Sequence, residues 1–255
     1  MEIVVIGSGN IATHLAKGLH ALGHTILQVY SKNIANAHAL ASLFSASATD
    51  QLNVINPSAS LYLIAVTDKA IQDITTVLPK SIQGIITHTS GATPISILQK
   101  FSNYGVIYPA QSLTKGISTN LNDVPFGIEG SNKKVSATLV AMMLQLSTKT
   151  FPCSTQQRLA LHTAAVFANN FSNALFQIAY EIMNANNLSF DLLKPLILET
   201  AKKVQDHLPS EAQTGPAKRN DIPTIQRHLQ FLSQNPNWVK IYQQLTEEIS
   251  SKSNI

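Results

Sequence analysis

The sequence predicts an α/β fold in which a doubly wound, mostly parallel sheet is followed by an all-α carboxyl-terminal domain. Three observations carry this. Up to about Phe151, short β-rich runs alternate with helical segments, and strand–helix–strand alternation implies parallel pairing through crossover helices. The β-rich runs are almost wholly apolar rather than alternating, as expected when helices cover both faces of a sheet. From Ser154 onward the strand signals stop, and Pro209, Pro216, Pro223 and Pro236 punctuate a series of helical segments.

The elements follow in order. Candidate strands cover residues 2–6, 25–30, 61–66, 84–88 and 106–108. Candidate helices between them cover 10–22, 33–44, 68–78 and 94–101, and a later one, after Lys133 and Lys134, covers 135–146. Beyond the change of class the periodicity gives helices over 154–184, 189–205, 223–233 and 236–250. No repeat or low-complexity linker marks the joint. The expected domains are therefore 1–151 and 152–255.

Composition narrows the function classes. Of 255 residues only 32 are charged, or 13%, about half of the roughly 25% usual in soluble domains. The net charge of +4, without a Lys/Arg-rich run, argues against a nucleic-acid binder. One cysteine, Cys153, excludes an intrachain disulfide framework and any multi-cysteine metal centre, and no H-E-x-x-H pattern occurs, so no metal site is expected. Residues 159–180 carry no charge, a span long enough for a bilayer. They also contain His162, Asn169, Asn170, Asn173 and Gln177, whose polar groups would be costly in hydrocarbon. The segment reads instead as a buried helix at a cleft or dimer interface. The amino-terminal MEIVVIGSGN has no basic segment, so a cytoplasmic protein without membrane association is expected.

The sharpest motif opens the chain. Gly7-Ser8-Gly9-Asn10-Ile11-Ala12 is G-x-G-x-x-A, placed directly after a strand and at the start of a helix, the context that a Rossmann dinucleotide fingerprint requires. Gly7 permits the tight turn, Gly9 leaves room for a pyrophosphate, and Ala12 lets the helix pack closely on the strand. The helix amino terminus offers N–H groups and a positive dipole end to phosphate. The next strand ends in Ser31-Lys32-Asn33 with no acid before Asp50. NAD enzymes usually place a carboxylate there for the ribose 2′-hydroxyl. Ser31 and Asn33 can donate hydrogen bonds to a 2′-phosphate and Lys32 adds a cation, so NADP is the expected cofactor.

These residues, with Leu63-Ile64-Ala65-Val66-Thr67-Asp68-Lys69-Ala70-Ile71, resemble the NADP-binding half of the pyrroline-carboxylate reductase, ketopantoate reductase and β-hydroxyacid dehydrogenase superfamily. That resemblance implies that the backbone at Ala65, Val66, Thr67 and Asp68 lies beside the adenine ribose and pyrophosphate; Asp68 reads equally as a helix N-cap. His88-Thr89-Ser90-Gly91, Tyr108-Pro109-Ala110-Gln111, Pro125-Phe126, the run 165–171 and the run 213–221 extend the likeness over nearly the whole chain. Together they resemble two-domain NADP oxidoreductase-like proteins, similar to deazaflavin-dependent NADP reductases, that end in a helical domain of unknown function. The resemblance implies a fold, a cofactor and a helical domain that dimerises, and no substrate.

Hydride transfer to a carbonyl or imine needs a proton donor or oriented hydrogen bonds. His162, Asn169, Asn173 and Gln177 recur at steps of seven, four and four, which an uninterrupted helix would place on one face. His162 is the expected donor, Asn169 or Asn170 orient substrate, and Asn173 contributes to binding it. Related dehydrogenases use a helical lysine, and here no lysine lies between Phe151 and Leu193. His88 and Ser90, at the carboxyl end of a strand, are further candidates. The segment 213–221 reads either as a reach toward an anionic substrate through Arg219 or as a loop with Asp221 capping the next helix. The expectation is an NADP-dependent oxidoreductase for a small anionic carbonyl or imine metabolite, acting as a homodimer through its helical domain. The alternative is a non-catalytic NADP(H)-binding regulatory or partner module.

Overall fold

A computed structural model describes residues 1–114, 116–117 and 119–251. They form two compact units, Met1–Asn169 and Asn170–Ile255. In the first, β1 (Glu2–Ile6), α1 (Asn10–Ala21), β2 (Thr25–Tyr30), α2 (Ile34–Ala41), β3 (Ser47–Thr49), β4 (Leu61–Ile64), α3 (Asp68–Val77), β5 (Ile85–His88) and β6 (Tyr104–Pro109) alternate as the apolar runs require. They are followed by β7 (Phe126–Gly130), α4 (Lys133–Leu144), β8 (Thr150–Pro152) and α5 (Thr155–Ala165). The eight strands among the described residues form one sheet in the order β3-β2-β1-β4-β5-β6-β7-β8. Every pairing is parallel except β6 with β7.

The period of two in β1 sorts side chains between two cores. Ile3 and Val5 pack with Leu15 and Leu19 of α1 and with Leu139 and Met143 of α4. Val4 and Ile6 pack on the opposite face with Ile71 and Ile74 of α3. Because β1 and β4 neighbour each other while β2 lies on the far side of β1, the winding reverses at β1/β4. A crevice is expected there, outside the carboxyl ends of both strands.

Three strands escape the sequence reading for identifiable reasons. β3 is small and polar, β7 contains Gly127, Glu129 and Gly130, and β8 is three residues ending in proline. A proline fits there because β8 is an edge strand. Residues 94–101, expected as a helix, form only a short 3-10 turn at Ile95–Leu98.

The joint also differs. Strands end at Pro152, next to the expected boundary at 151, yet the first unit continues through α5 to Asn169. The continuous helix expected over 154–184 is interrupted by a π-helical segment, Val166–Phe171, before α6 (Ser172–Ala185). Its wider i→i+5 turns absorb extra residues. The α-helical spacing that aligned His162 with Asn169, Asn173 and Gln177 therefore does not carry across it. Nor is residues 159–180 a buried segment within one chain: Leu159, Phe167, Phe171, Leu175, Phe176 and Tyr180 are all exposed.

The second unit continues with α7 (Lys194–Asp206), α8 (Pro209–Ala212), α9 (Ile222–Phe231) and α10 (Pro236–Ser251). Asp221 caps α9, its carboxylate accepting from the Thr224 N–H at 3.2 Å. No helix among the described residues is long and apolar enough to cross a membrane.

Candidate dinucleotide and proton-donor site

The crevice at the β1/β4 switch is a cleft of about 750 Å³. Gly7, Ser8, Gly9, Asn10 and Ile11 line it from the first turn, Ser31 and Lys32 from the end of β2, and Ala65, Val66 and Thr67 from the end of β4. The two fingerprint glycines do different work. Gly7 has φ +123°, and a Cβ there would lie 2.1 Å from the Ala65 carbonyl oxygen; only glycine lets β1 turn so close to β4. Around Gly9 a Cβ would meet nothing within 4 Å. Gly9 is the N-cap residue of α1, in extended conformation, so α1 begins against open space with first-turn N–H groups that no helical carbonyl can satisfy. That space is a cradle for a phosphate group.

Three expected cofactor residues stand apart from the lining. Ala12 is fully buried, giving the close helix–sheet contact. Asn33 caps α2, accepting from the Ala35 N–H at 2.9 Å. Asp68 is the first residue of α3 rather than its cap; Thr67 holds the cap position without a side-chain capping bond. Ser8 Oγ and Ser31 Oγ share a hydrogen bond of 2.8 Å, tying the glycine turn to the end of β2. Lys32 is exposed; among the described lining residues it is the one cation and Asp73 the one carboxylate. Tyr30, Leu52, Ala70, Ile74 and Gln111–Leu113 also line the cleft. The sequence reading did not include them, because their distance along the chain hides their convergence.

A second cluster stands at the carboxyl ends of β5 and β6. Its organiser is Arg158 on α5, fully buried, and the residue that sequence reasoning missed. Nη1 donates to the carbonyls of Ser90, Gly91 and Thr93 at 2.8–3.0 Å, and Nη2 to Glu129 Oε2 at 3.0 Å. Glu129 also accepts from the Thr155 N–H and hydroxyl at the start of α5. A buried arginine is held only when paired and hydrogen-bonded, and here the pairing fixes the 90–93 loop against α5. The fully uncharged window that begins at Leu159 starts one residue after it, which drew attention past it.

One turn along α5, His162 Nδ1 lies 3.1 Å from the Tyr108 hydroxyl, the rings meeting edge to face. Tyr108 is buried at the end of β6; burial pushes its hydroxyl pKa up, with the Arg158 charge opposing. His162 is partly exposed, and three residues past Tyr108 the chain reaches the cleft at Gln111. His88 has the opposite character. It is fully buried, its Nδ1 accepts from the Ser90 N–H at 3.2 Å, and burial, together with Arg158, lowers its pKa to about 3. Burial of this kind favours the neutral imidazole, and its Nε2 has no hydrogen-bond partner among the described residues. Ser90 Oγ accepts from the Ala92 and Thr93 N–H groups, so it too shapes the loop. Asn169 and Asn170 lie exposed in the π-helical segment. In the second unit, Asn173 and Gln177 share a small pocket of about 270 Å³ with Phe176, Tyr180 and Phe190, and Arg219 is exposed beside Asp221.

Sheet order and the cleft at the β1/β4 switch together define a protein of the Rossmann-like fold class. Residues 2–89 match the family model "NADP oxidoreductase coenzyme F420-dependent", and residues 124–249 match "Domain of unknown function (DUF2520)". The crystal structure of "putative NADP oxidoreductase BF3122" from Bacteroides fragilis is 37% identical, covering 98% of each chain with a TM-score of 0.88. The chain belongs to this two-domain, NADP oxidoreductase-like family. Protein TM1727 from Thermotoga maritima is 21% identical over 99% of this chain and 100% of its own (TM-score 0.82). A 1-pyrroline-5-carboxylate reductase from Streptococcus pyogenes shares the fold at 13% identity, with 98% of each chain covered and a TM-score of 0.64. No curated protein matches the sequence.

Proposed function

We propose that the protein is an NADP(H)-dependent oxidoreductase acting on a small carbonyl or imine compound. The observation that carries this reading is the cradle at Gly9. The turn is closed tightly at Gly7 and left open at the start of α1, an arrangement whose use is to hold a pyrophosphate. Lys32, Ser31 and the absence of a carboxylate at the end of β2 favour a 2′-phosphate over a bare ribose hydroxyl. When bound, NADPH supplies a hydride to an electrophilic carbon. The chain must supply a proton to the oxygen or nitrogen left behind, and His162 is the group suited to it. Substrate charge is anionic in this reading.

The test is binding before turnover. NADPH raises the melting temperature, and NADH does so more weakly. Lys32→Ala weakens NADPH affinity by about tenfold, the worth of one ion contact of roughly 1.4 kcal/mol, and leaves NADH unaffected. Equal responses to the two cofactors overturn the NADP assignment; no response to either overturns the dinucleotide assignment. Substrate-dependent loss of NADPH absorbance across oxo acids and imines, abolished in His162→Ala, establishes the enzyme. Binding without any turnover favours the regulatory module instead.

The second unit supports a homodimer. Helices α6, α7 and α10 have no buried residue, and Leu192, Leu196, Leu208 and Phe231 are each more than 60% exposed. Exposed apolar surface on this scale marks an interface, and a second copy is the partner proposed.

A further inference from the structure

We infer that Tyr108 is the positioning residue for His162: its hydroxyl donates to Nδ1, holding the imidazole as the Nε2–H tautomer with that proton presented to the substrate. The inference rests on the reductase reading for its purpose, while the geometry stands without it. Tyr108 Oη and His162 Nδ1 are 3.1 Å apart. A phenol is the stronger donor of this pair and a neutral imidazole nitrogen the stronger acceptor, so the shared proton resides on oxygen and the histidine proton on Nε2.

Two other residues exist in their present form to allow this contact. Gly91 faces the imidazole, and a Cβ there would lie 2.6, 2.7 and 2.8 Å from Cγ, Nδ1 and Cβ of His162. No side chain larger than hydrogen fits while the ring stays where it is. Arg158 lies four residues before His162 and so on the same face of α5, and its Nη1 donates to the Gly91 carbonyl at 3.0 Å as well as to those of Ser90 and Thr93. Loop and helix are thus locked to each other at the point where the ring must stand against Tyr108.

The arrangement gives a balanced proton path. As the substrate oxygen or nitrogen gains negative charge, the Nε2–H bond breaks and an O–H or N–H bond forms. Nδ1 takes the phenol proton, so the imidazole remains neutral and ends as the other tautomer. The phenolate left on Tyr108, disfavoured by burial and favoured by the Arg158 charge, is transient; it takes back one proton from the solvent buffer, the one proton that each reduction consumes. In oxidation the same path runs backwards.

Nitrogen NMR of histidine-labelled, cofactor-free protein tests the geometry. His162 should give the Nε2–H tautomer, with an Nδ1 resonance displaced by hydrogen bonding. Tyr108→Phe should move that resonance to the unbonded position, and Gly91→Ala, which keeps the hydroxyl, should do the same by displacing the ring. An Nδ1–H tautomer in the unmodified protein, or a resonance indifferent to Tyr108→Phe, overturns the inference. In turnover, Tyr108→Phe should lower kcat by about tenfold with KM little changed, the loss of one oriented hydrogen bond. The proton inventory should fall from two exchanging protons to one. An unchanged kcat and inventory overturns the proton path. Failure of the reductase reading shows separately, as absence of turnover in a protein whose tautomer is as stated.

Discussion

Gly7 and Gly9 sit two residues apart in one motif and should respond to the same substitution in opposite ways. Gly7→Ala places a methyl 2.1 Å from a backbone oxygen at φ +123°, so the loss is of stability, about 1–3 kcal/mol or more. It should show as a lowered urea midpoint. Gly9→Ala meets no protein atom and should leave the midpoint unchanged while weakening NADPH binding in titration calorimetry. His88 makes a second residue-scale prediction. Its pKa falls from 6.5 unfolded to about 3 folded, so below pH 6.5 the unfolded chain binds a proton that the native state refuses. Stability therefore drops with falling pH, by about 1.4 kcal/mol per unit between 6.5 and 3. In His88→Asn, unfolding free energies measured across this range should lose that slope. At this scale the fingerprint was legible because its glycine spacing, directly between a strand and a helix, is a local pattern; backbone geometry dictates glycine at Gly7 and leaves Gly9 free of that demand. The roles of His88 and Ser90 were not, since a strand-end histidine reads alike whether it is solvated or sealed.

At the scale of elements, α5 is the piece whose meaning changes most. A sequence window sees Arg158 as one charge before an uncharged stretch; the fold shows it fastening three carbonyls and Glu129. Arg158→Met should cost about 3–5 kcal/mol in chemical unfolding, because it leaves Glu129 without its cation and the Ser90, Gly91 and Thr93 carbonyls without their donor. Glu129→Gln, which keeps a hydrogen-bond acceptor, should cost less. The apolar strands β1, β4 and β5 and helices α1 and α3 were legible because burial on both faces leaves a continuous apolar run. β7 was not, since its two glycines carry no hydrophobic signal and its pairing is long-range. The π-helical segment was hidden for a related reason. Asn169 and Asn170 are weak helix formers, but nothing in their spacing announces an i→i+5 turn.

For the whole molecule, the low charge of the sequence divides into two causes. In the first unit it reflects a sheet packed on both faces. In the second, few residues are buried; among those described only Ala217, Ile225 and Leu232 are apolar and inaccessible. The proposed second copy would supply the burial that this unit lacks among its described residues. Sedimentation analysis should give twice the chain mass of 27.6 kDa. Leu192→Glu together with Leu196→Glu should shift the particle toward the monomer and lower the melting temperature of the helical unit. A monomeric unmodified protein would remove the proposed dimer.

The one antiparallel pairing in the sheet has a further consequence. Because β7 reverses against β6, Pro109 faces Phe126 and the Ala110 N–H donates to the Pro125 carbonyl at 2.9 Å. Both ends of the intervening connection are stitched together at the rim that holds the cleft, and Gln111–Leu113 enter the lining from its first residues. A connection closed at its base transmits little of its own length to the sheet, and each doubling of length costs only about 0.6 kcal/mol in closure entropy. A few residues inserted into this connection should therefore leave the unfolding midpoint nearly unchanged.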